Sequence, residues 1–252
     1  MDLKESVVVV TGGARGIGYA IAEDLAKAGA KLALIDSDQA QLERSSAELA
    51  AHTEVQGYAV DVTDEALIEA TFQYILQDFG KVNAVINNAG VLKDGLLLKV
   101  KDGQLIDKMS LAQFKQVCDI HMDGTFLCGR EGALSMIASG QKGVIVNMSS
   151  LARSGNRGQT NYAAAKSAVA SMAITWAAEL ARHGIRSVAV APGVVETEMV
   201  KSMKPEALAR LKQAIPAGRL AKPEEIAATV RFILEQDYIN GRVIEVDGGL
   251  RF

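Results

Sequence analysis

Seven short apolar runs are spaced along this chain, and longer stretches of helical periodicity lie between them. The runs are SVVVVTG, KLALIDS, VQGYAVD, KVNAVINNAG, GVIVNMSS, IRSVAVAPG and GRVIEVDGG. Each is rich in Val, Ile and Ala, and most end in Gly, Asp, Asn or Ser. Short runs of this kind fit strands buried on both faces, as in parallel sheets covered by helices. The stretches between them include GYAIAEDLAKAGA, DEALIEATFQYILQDFG and PEEIAATVRFILEQ. The last opens with Pro223, Glu224 and Glu225, residues that suit a first helical turn. The alternation predicts an α/β fold: a doubly wound, seven-stranded parallel sheet with helices on both faces.

A chain of 252 residues, 49% of them apolar, can fill one such core and is too short for two large ones. Residues 1–252 are therefore read as a single domain. Residues 96–109, LLLKVKDGQLIDKM, break the rhythm. Asp102-Gly103 between partly alternating residues predicts a β-hairpin, with an irregular surface loop as the alternative.

Composition removes several classes of function. The net charge of −3 gives no basic field for nucleic acid or anionic lipid. No apolar run reaches the length of a membrane span, and MDLKESVVVVTGG does not look like a secretory signal, so a cytoplasmic protein is expected. Cys118 and Cys128 form neither a disulfide framework nor a metal-binding spacing, and no metal is expected.

The first run passes directly into TGGARGIGYAIAEDLA. Gly12, Gly16 and Gly18, with Arg15 and Ile17 among them, sit where strand gives way to helix. Such a turn lets a phosphate bridge approach bare backbone, and the helix N-terminus offers it free N–H groups. The second run ends at Asp36, eighteen residues after Gly18. A carboxylate there can accept from adenosine ribose hydroxyls and would repel a 2′-phosphate. The alternative is a turn or helix-cap aspartate, since DSDQAQLE starts a helix. NAD(H) is expected over NADP(H), although Arg15 could pair with a 2′-phosphate.

Seven motifs, TGGARGIG, DVTD, NNAG, NMSS, YAAAK, PGVVET and VDGG, follow one another across nearly the whole chain. In this order they resemble the short-chain dehydrogenase/reductase family, with its Rossmann-like fold. Within it, GNRGQTNYAAAKSAV and APGVVETEM with IPAGRL look like bacterial 3-oxoacyl-[acyl-carrier-protein] reductases. The resemblance implies that Asp61 and Val62 flank the adenine and that Asn88, Ala89 and Gly90 line the cofactor cleft. It also implies that Pro192, Gly193, Val195 and Thr197 border the nicotinamide end, where Val195 and Thr197 hold the carboxamide.

Tyr162 and Lys166 are four residues apart on a predicted helix and so face the same way. A nearby ammonium and an oxidised nicotinamide would stabilise the phenolate and lower the tyrosine pKa. Tyr162 then exchanges a proton with a carbonyl or alcohol oxygen, while Lys166 also holds the nicotinamide ribose. For the serine that completes the site, the interval back from Tyr162 points to Ser149. Register along the strand GVIVNMSS points to Ser150, which is preferred because packing fixes strand register. The resembling family carries asparagine at His121, in a proton relay to the lysine. A histidine there either braces the helix as a packing substitution or joins the relay by titrating near neutrality.

The resemblance implies that residues 194–220 form a lid over the substrate, with Met199, Met203, Leu208 and Leu211 offering an adaptable apolar surface. An acyl carrier protein is a candidate partner, with Arg130, Arg182, Arg186 and His183 as candidate basic contacts. The helix YAAAKSAVASMAITWAAELARHG is apolar on most of its surface, so it is buried against something; the resemblance implies that a second subunit covers it, and a homo-oligomer, a tetramer, is expected. The leading reading is an NAD(P)(H)-dependent oxidoreductase interconverting a carbonyl and a secondary alcohol, with a 3-oxoacyl thioester as substrate. The alternatives are an alcohol, sugar or hydroxysteroid dehydrogenase and a non-catalytic dinucleotide sensor.

Overall fold

A computed structural model describes residues 1–197, 200 and 205–251. Seven strands form one parallel sheet in the order β3-β2-β1-β4-β7-β8-β9. They are β1 (Val7–Thr11), β2 (Lys31–Asp36), β3 (Val55–Ala59), β4 (Ala84–Asn87), β7 (Gly143–Met148), β8 (Ile185–Pro192) and β9 (Val243–Val246). The helices are α1 (Gly16–Lys27), α2 (Gln39–Leu49), α3 (Glu65–Phe79), α4 (Leu111–Cys118), α5 (Gly124–Ala138), α6 (Thr160–Glu179), α7 (Pro205–Ala214) and α8 (Pro223–Glu235).

Successive strand residues point to opposite faces, and helices cover both, which is why the strands read as unbroken apolar runs. Val8 and Val10 of β1, with Leu32 and Leu34 of β2, pack beneath α1 and α8. Val9, Ala33 and Ile35 from the same strands pack on the other face, with Ile68, Phe72 and Ile75 of α3 and Met136 of α5. Asp38, Asp64 and Ser110 accept backbone N–H bonds as N-caps of α2, α3 and α4. The sheet grows outward from β1 in both directions, through β2 on one side and β4 on the other. This reversal opens a crevice at the C-terminal ends of β1 and β4, the usual ligand position in such a sheet.

Helix α4 runs into α5 through one wide π-type turn, Asp119–Asp123, with helical backbone on both sides. Cys118 and Cys128 are both free thiols, on either side of that turn. The segment before α4 forms an antiparallel hairpin of β5 (Leu98–Lys101) and β6 (Gln104–Lys108). Asp102 and Gly103 turn it with φ of 51° and 74°. Two positive φ values mark the primed turn whose twist matches paired strands. Of the expected lid, α7 and Val194–Thr197 are described; Leu208 and Leu211 pack towards Leu151, Ile215, Leu220 and Leu250. Met199 and Met203 lie outside the described residues.

Candidate active site

The crevice is a cavity of about 410 Å³. Gly12, Arg15, Gly16, Asp36, Asp61, Val62, Asn88, Ala89, Gly90 and Thr197, all expected at the cofactor, line it. Five further lining residues went unpredicted: Ile35, Ser37, Val60, Val91 and Ile120. Four of these adjoin a motif residue and Ile120 precedes His121, so chain adjacency was the available signal.

The glycines divide by role. Gly16 has φ +58°, and a Cβ there would project into the cleft with only Thr197 Cγ2, at 4.0 Å, beside it. Helix α1 begins at this glycine without a side-chain cap, leaving its N–H groups for a ligand. Gly18 packs instead: a Cβ would lie 2.0 Å from the Gly12 carbonyl oxygen. Asn88 braces the same turn, its Nδ2 donating to Thr11 O and Gly12 O at 3.1 Å each. The Thr11 hydroxyl, another residue the sequence reading missed, accepts from the Asn88 and Ala89 amides. A bare, uncapped turn facing an open cleft fits the pyrophosphate of a dinucleotide.

Asp36 ends β2 and is buried. Its carboxylate accepts from Ala14 N at 3.2 Å and Asp38 N at 3.1 Å. Asp38, not Asp36, caps the following helix, which leaves the Asp36 carboxylate facing the cleft. The Arg15 guanidinium lies 3.6 Å from Asp38.

Three predicted cofactor positions, Pro192, Gly193 and Val195, stand in the wall rather than on the cavity surface. Pro192 ends β8, a Cβ on Gly193 would meet Asp247 Cα at 2.7 Å, and Val195 is buried in a bridge with Ala221. Ile17 lies in the first turn of α1, packed against the core.

Behind the Gly90 wall of the cleft, on the far side of His121, α6 brings Tyr162 and Lys166 together, with the ammonium 5.6 Å from the centre of the tyrosine ring. The Ser150 hydroxyl, which also accepts from Ala152 N at 3.1 Å, lies near enough to the Tyr162 phenol to draw its pKa down. The Ser149 hydroxyl is buried and donates to Lys166 O at 2.8 Å, fixing α6 to the end of β7. The serine facing the phenol is thus Ser150, as the strand register indicates.

The protein's own groups act on the tyrosine in both directions. Burial holds the Tyr162 phenol above its ordinary value; the Ser150 hydroxyl pulls it back and the Asp94 carboxylate pushes it further up. Burial also lowers Lys166 to about 7, and its Nζ donates to Met148 O. With its pKa near 7, Lys166 is only partly an ammonium at neutral pH and so carries less than a full positive charge beside the phenol.

His121 lies in the wide turn between α4 and α5 and is 2% exposed. Its ring meets that of Tyr162 edge-on, with centroids 5.3 Å apart. Nε2 lies 2.9 Å from Val91 O and 3.2 Å from Val91 N, so it serves one of these as donor or acceptor according to tautomer. Nδ1 is buried without a protein partner. Burial, and then the Lys166 charge, push the imidazole down to about 3, against the Val91 backbone bond. The ring is therefore neutral near pH 7, which favours the packing alternative over the one in which it titrates there. With Nε2 held by backbone, it lacks the second free end that a through-ring relay requires.

The candidate basic contacts are mostly committed elsewhere. Arg130 is bound by Glu65, Glu69 and Glu131. Arg186 donates to Ile239 O, Ile233 O and Leu234 O. Arg182 donates to His183 Nε2 at 3.0 Å. Intramolecular carboxylates and carbonyls thus occupy two of the three guanidinium groups.

The family model described as enoyl-(acyl carrier protein) reductase matches residues 12–251. The 3-oxoacyl-[acyl-carrier-protein] reductase FabG of Thermotoga maritima is 36% identical, over 99% of each chain. The chain belongs to the short-chain dehydrogenase/reductase family. The short-chain reductase protein NovJ of Streptomyces niveus is 36% identical over 98% of this chain and 94% of its own. Carbonyl reductase family member 4 of Xenopus tropicalis is 35% identical over 97% of this chain and 98% of its own. Membership makes this protein an enzyme, an NAD(P)(H)-dependent oxidoreductase. Among the described residues no helix is long and apolar enough to cross a membrane, and no group of three or more His, Cys, Asp or Glu could hold a metal.

Proposed function

We propose that the protein reduces the ketone of a 3-oxoacyl thioester to the secondary alcohol in the cytoplasm, with NADH preferred to NADPH. The observation that carries this is the clustering of Ser150, Tyr162 and Lys166, joined through His121 to Gly90 in the wall of a glycine-turned cleft that also holds Asp36. The dinucleotide, when bound, supplies the hydride. Ser150 donates a hydrogen bond to the ketone oxygen and holds it beside the phenol. Tyr162 delivers the proton to that oxygen; its raised pKa keeps the phenol protonated at neutral pH and makes it a weaker acid, so the proton moves as negative charge develops on the ketone oxygen. Lys166, close to neutrality in its own titration, is suited to returning a proton to Tyr162. His121 stays neutral, bracing Val91 at the cleft wall.

The 3-oxoacyl assignment draws on relatives of that name that match the chain end to end. Cofactor preference draws on the buried Asp36 carboxylate and on Arg15 lying near Asp38. Assembly as a homo-oligomer, a tetramer, is supported by Phe126, Leu134 and Ile137 of α5 and Ile174 of α6, all 41–58% exposed.

The deciding measurement follows NADH absorbance with acetoacetyl-CoA as substrate. Turnover is expected, falling at least about 100-fold in Tyr162→Phe and with NADPH in place of NADH. Faster turnover of sugars, steroids or simple ketones would move the substrate class. Tight NADH binding without turnover on any carbonyl would point to a nucleotide sensor.

A further inference from the structure

The β5–β6 hairpin carries the densest run of exposed aliphatic side chains among the described residues. Leu97, Leu98, Val100, Leu105 and Ile106 are 55–62% exposed, and Leu111, where α4 begins, is 72% exposed. A two-stranded hairpin on its own is marginal in water, and long exposed apolar strands invite pairing. Its root, by contrast, is firmly tied. Gly95 N donates to Gly158 O at 2.8 Å, Gln159 Nε2 to Asp94 Oδ2 at 2.9 Å, and Asn161 Nδ2 to Lys93 O at 3.0 Å. A rigid root and an uncovered apolar blade describe an arm built to meet another surface.

We infer that this hairpin is a clasp for a second copy of the same chain, extending the apolar face of α5. The inference rests on the homo-oligomer reading above and adds the element that holds the pair together.

The first argument is continuity. The run from Leu111 to Ala138 is one helix of 28 residues, about 42 Å long. Leu111 and Phe126 are fifteen residues apart, and the wide turn between them absorbs the extra residue, so both lie on one face. Phe126, Leu134 and Ile137 continue that stripe at helical spacing, 41–58% exposed. The apolar stripe thus runs from the root of the hairpin to the far end of α5. In a two-fold pair each contact occurs twice, so helices crossing antiparallel set the Leu111 end of one copy beside the Ile137 end of the other. The hairpin leads into α4 at Leu111, so in this arrangement it would lie beside the partner's Ile137 end.

The second argument is area. At ~25 cal/mol per Å² and 2–3 kcal/mol per fully buried aliphatic side chain, half-exposed residues 96–111 offer on the order of 300–400 Å². A stable interface needs about 800 Å² per partner. The hairpin is too small to be an interface alone, and it suits an extension of the helical one.

The third argument is chemistry. Leu105 and Ile106 are consecutive within β6, so they face opposite ways, both are exposed, and the blade is apolar on both faces. One acyl chain would use one face. Between Leu98 and Lys108 stand three lysines against two aspartates, and Lys99 is directly opposite Asp107. This leaves little field for an acidic carrier protein.

The test compares the full-length protein with a Leu98→Lys, Val100→Lys, Leu105→Lys triple variant by sedimentation velocity across concentration. The positions are exposed, so native far-UV circular dichroism is expected. The oligomer dissociation constant should rise at least tenfold. Leu134→Lys separates the two levels of inference. If Leu134→Lys dissociates the protein and the triple variant does not, oligomerisation stands and the clasp is wrong. A monomeric unsubstituted protein at micromolar concentration removes both. Unchanged mass with a tenfold higher KM for long-chain over short-chain thioesters would make the hairpin a substrate platform and overturn the clasp. A measurement without substitution uses hydrogen exchange on the unsubstituted protein. Hairpin amides should be better protected above the dissociation constant than below it, and equal protection overturns the proposal.

Discussion

Ser149 and Ser150 are neighbours with opposite duties. The Ser149 hydroxyl is spent on Lys166 O, whereas that of Ser150 reaches the phenol. Ser150→Ala should therefore lower kcat/KM by about 100-fold or more, the range for losing a group that stabilises developing charge. Ser149→Ala should keep turnover within about tenfold and lower stability by ~1 kcal/mol. Steady-state kinetics and urea titration separate the two, and the reverse pattern would exchange the assignments. His121→Asn should keep kcat/KM within about tenfold, a barrier change of ~1.4 kcal/mol. Its effect on acid stability has a definite sign. The imidazole is at about 3 in the folded protein against 6.5 ordinarily. The unfolded chain binds a proton that the folded one refuses, so stability falls as pH drops from 6.5 towards 3. Urea unfolding at about pH 5 should show a pH slope smaller by roughly 1.4 kcal/mol per unit in His121→Asn. Asp36→Ala should raise the NADPH-to-NADH ratio of kcat/KM at least tenfold, because the carboxylate facing the cleft is removed. An unchanged ratio would release Asp36 from that role.

At the scale of elements, the turn from β1 to α1 is closed by contact between backbones. Gly18 touches the Gly12 carbonyl, and Asn88 holds the same turn from β4. A methyl group at Gly18 has no room without moving the helix. Gly18→Ala should destabilise by about 3 kcal/mol or abolish soluble expression. Urea titration checks this, and Gly103→Ala serves as contrast: nothing lies within 4 Å of its Cβ position, so only its φ of 74° opposes the change. The hairpin turn was legible because Asp-Gly supplies two residues that tolerate positive φ. The wide turn at Asp119–Asp123 was not, since no residue in CDIHMD breaks helical periodicity. Packing of His121 against Gly90 coincides with it: a Cβ on Gly90 would come within 2.2 Å of the imidazole.

For the molecule as a whole, the sheet faces are filled, but the apolar side chains of α5 and the hairpin remain open to solvent. An assembly held by such surfaces should ignore salt, because screening weakens charge pairs and leaves apolar burial intact. The oligomer mass by light scattering should therefore be the same in 0.1 and 1 M sodium chloride, at roughly one-third of the Debye length in the latter. Dissociation by salt would indicate that ion pairs hold the copies together instead.

By itself the sequence determined the strand and helix alternation, the glycine turn, the Asp36 position and the Tyr162–Lys166 pair. Each is a local pattern: burial on two faces demands unbroken Val and Ile, a close phosphate demands glycine, and one helical turn aligns residues four apart. Tertiary structure decided what depended on distant partners. The choice between Ser149 and Ser150 rests on where α6 lies against β7. The neutrality of His121 rests on burial beside Lys166 and Val91. The commitment of Arg130 and Arg186 rests on carboxylates and carbonyls distant in the chain. Desolvation and partner geometry set those outcomes, and neither is carried by the residues next to a site in the chain.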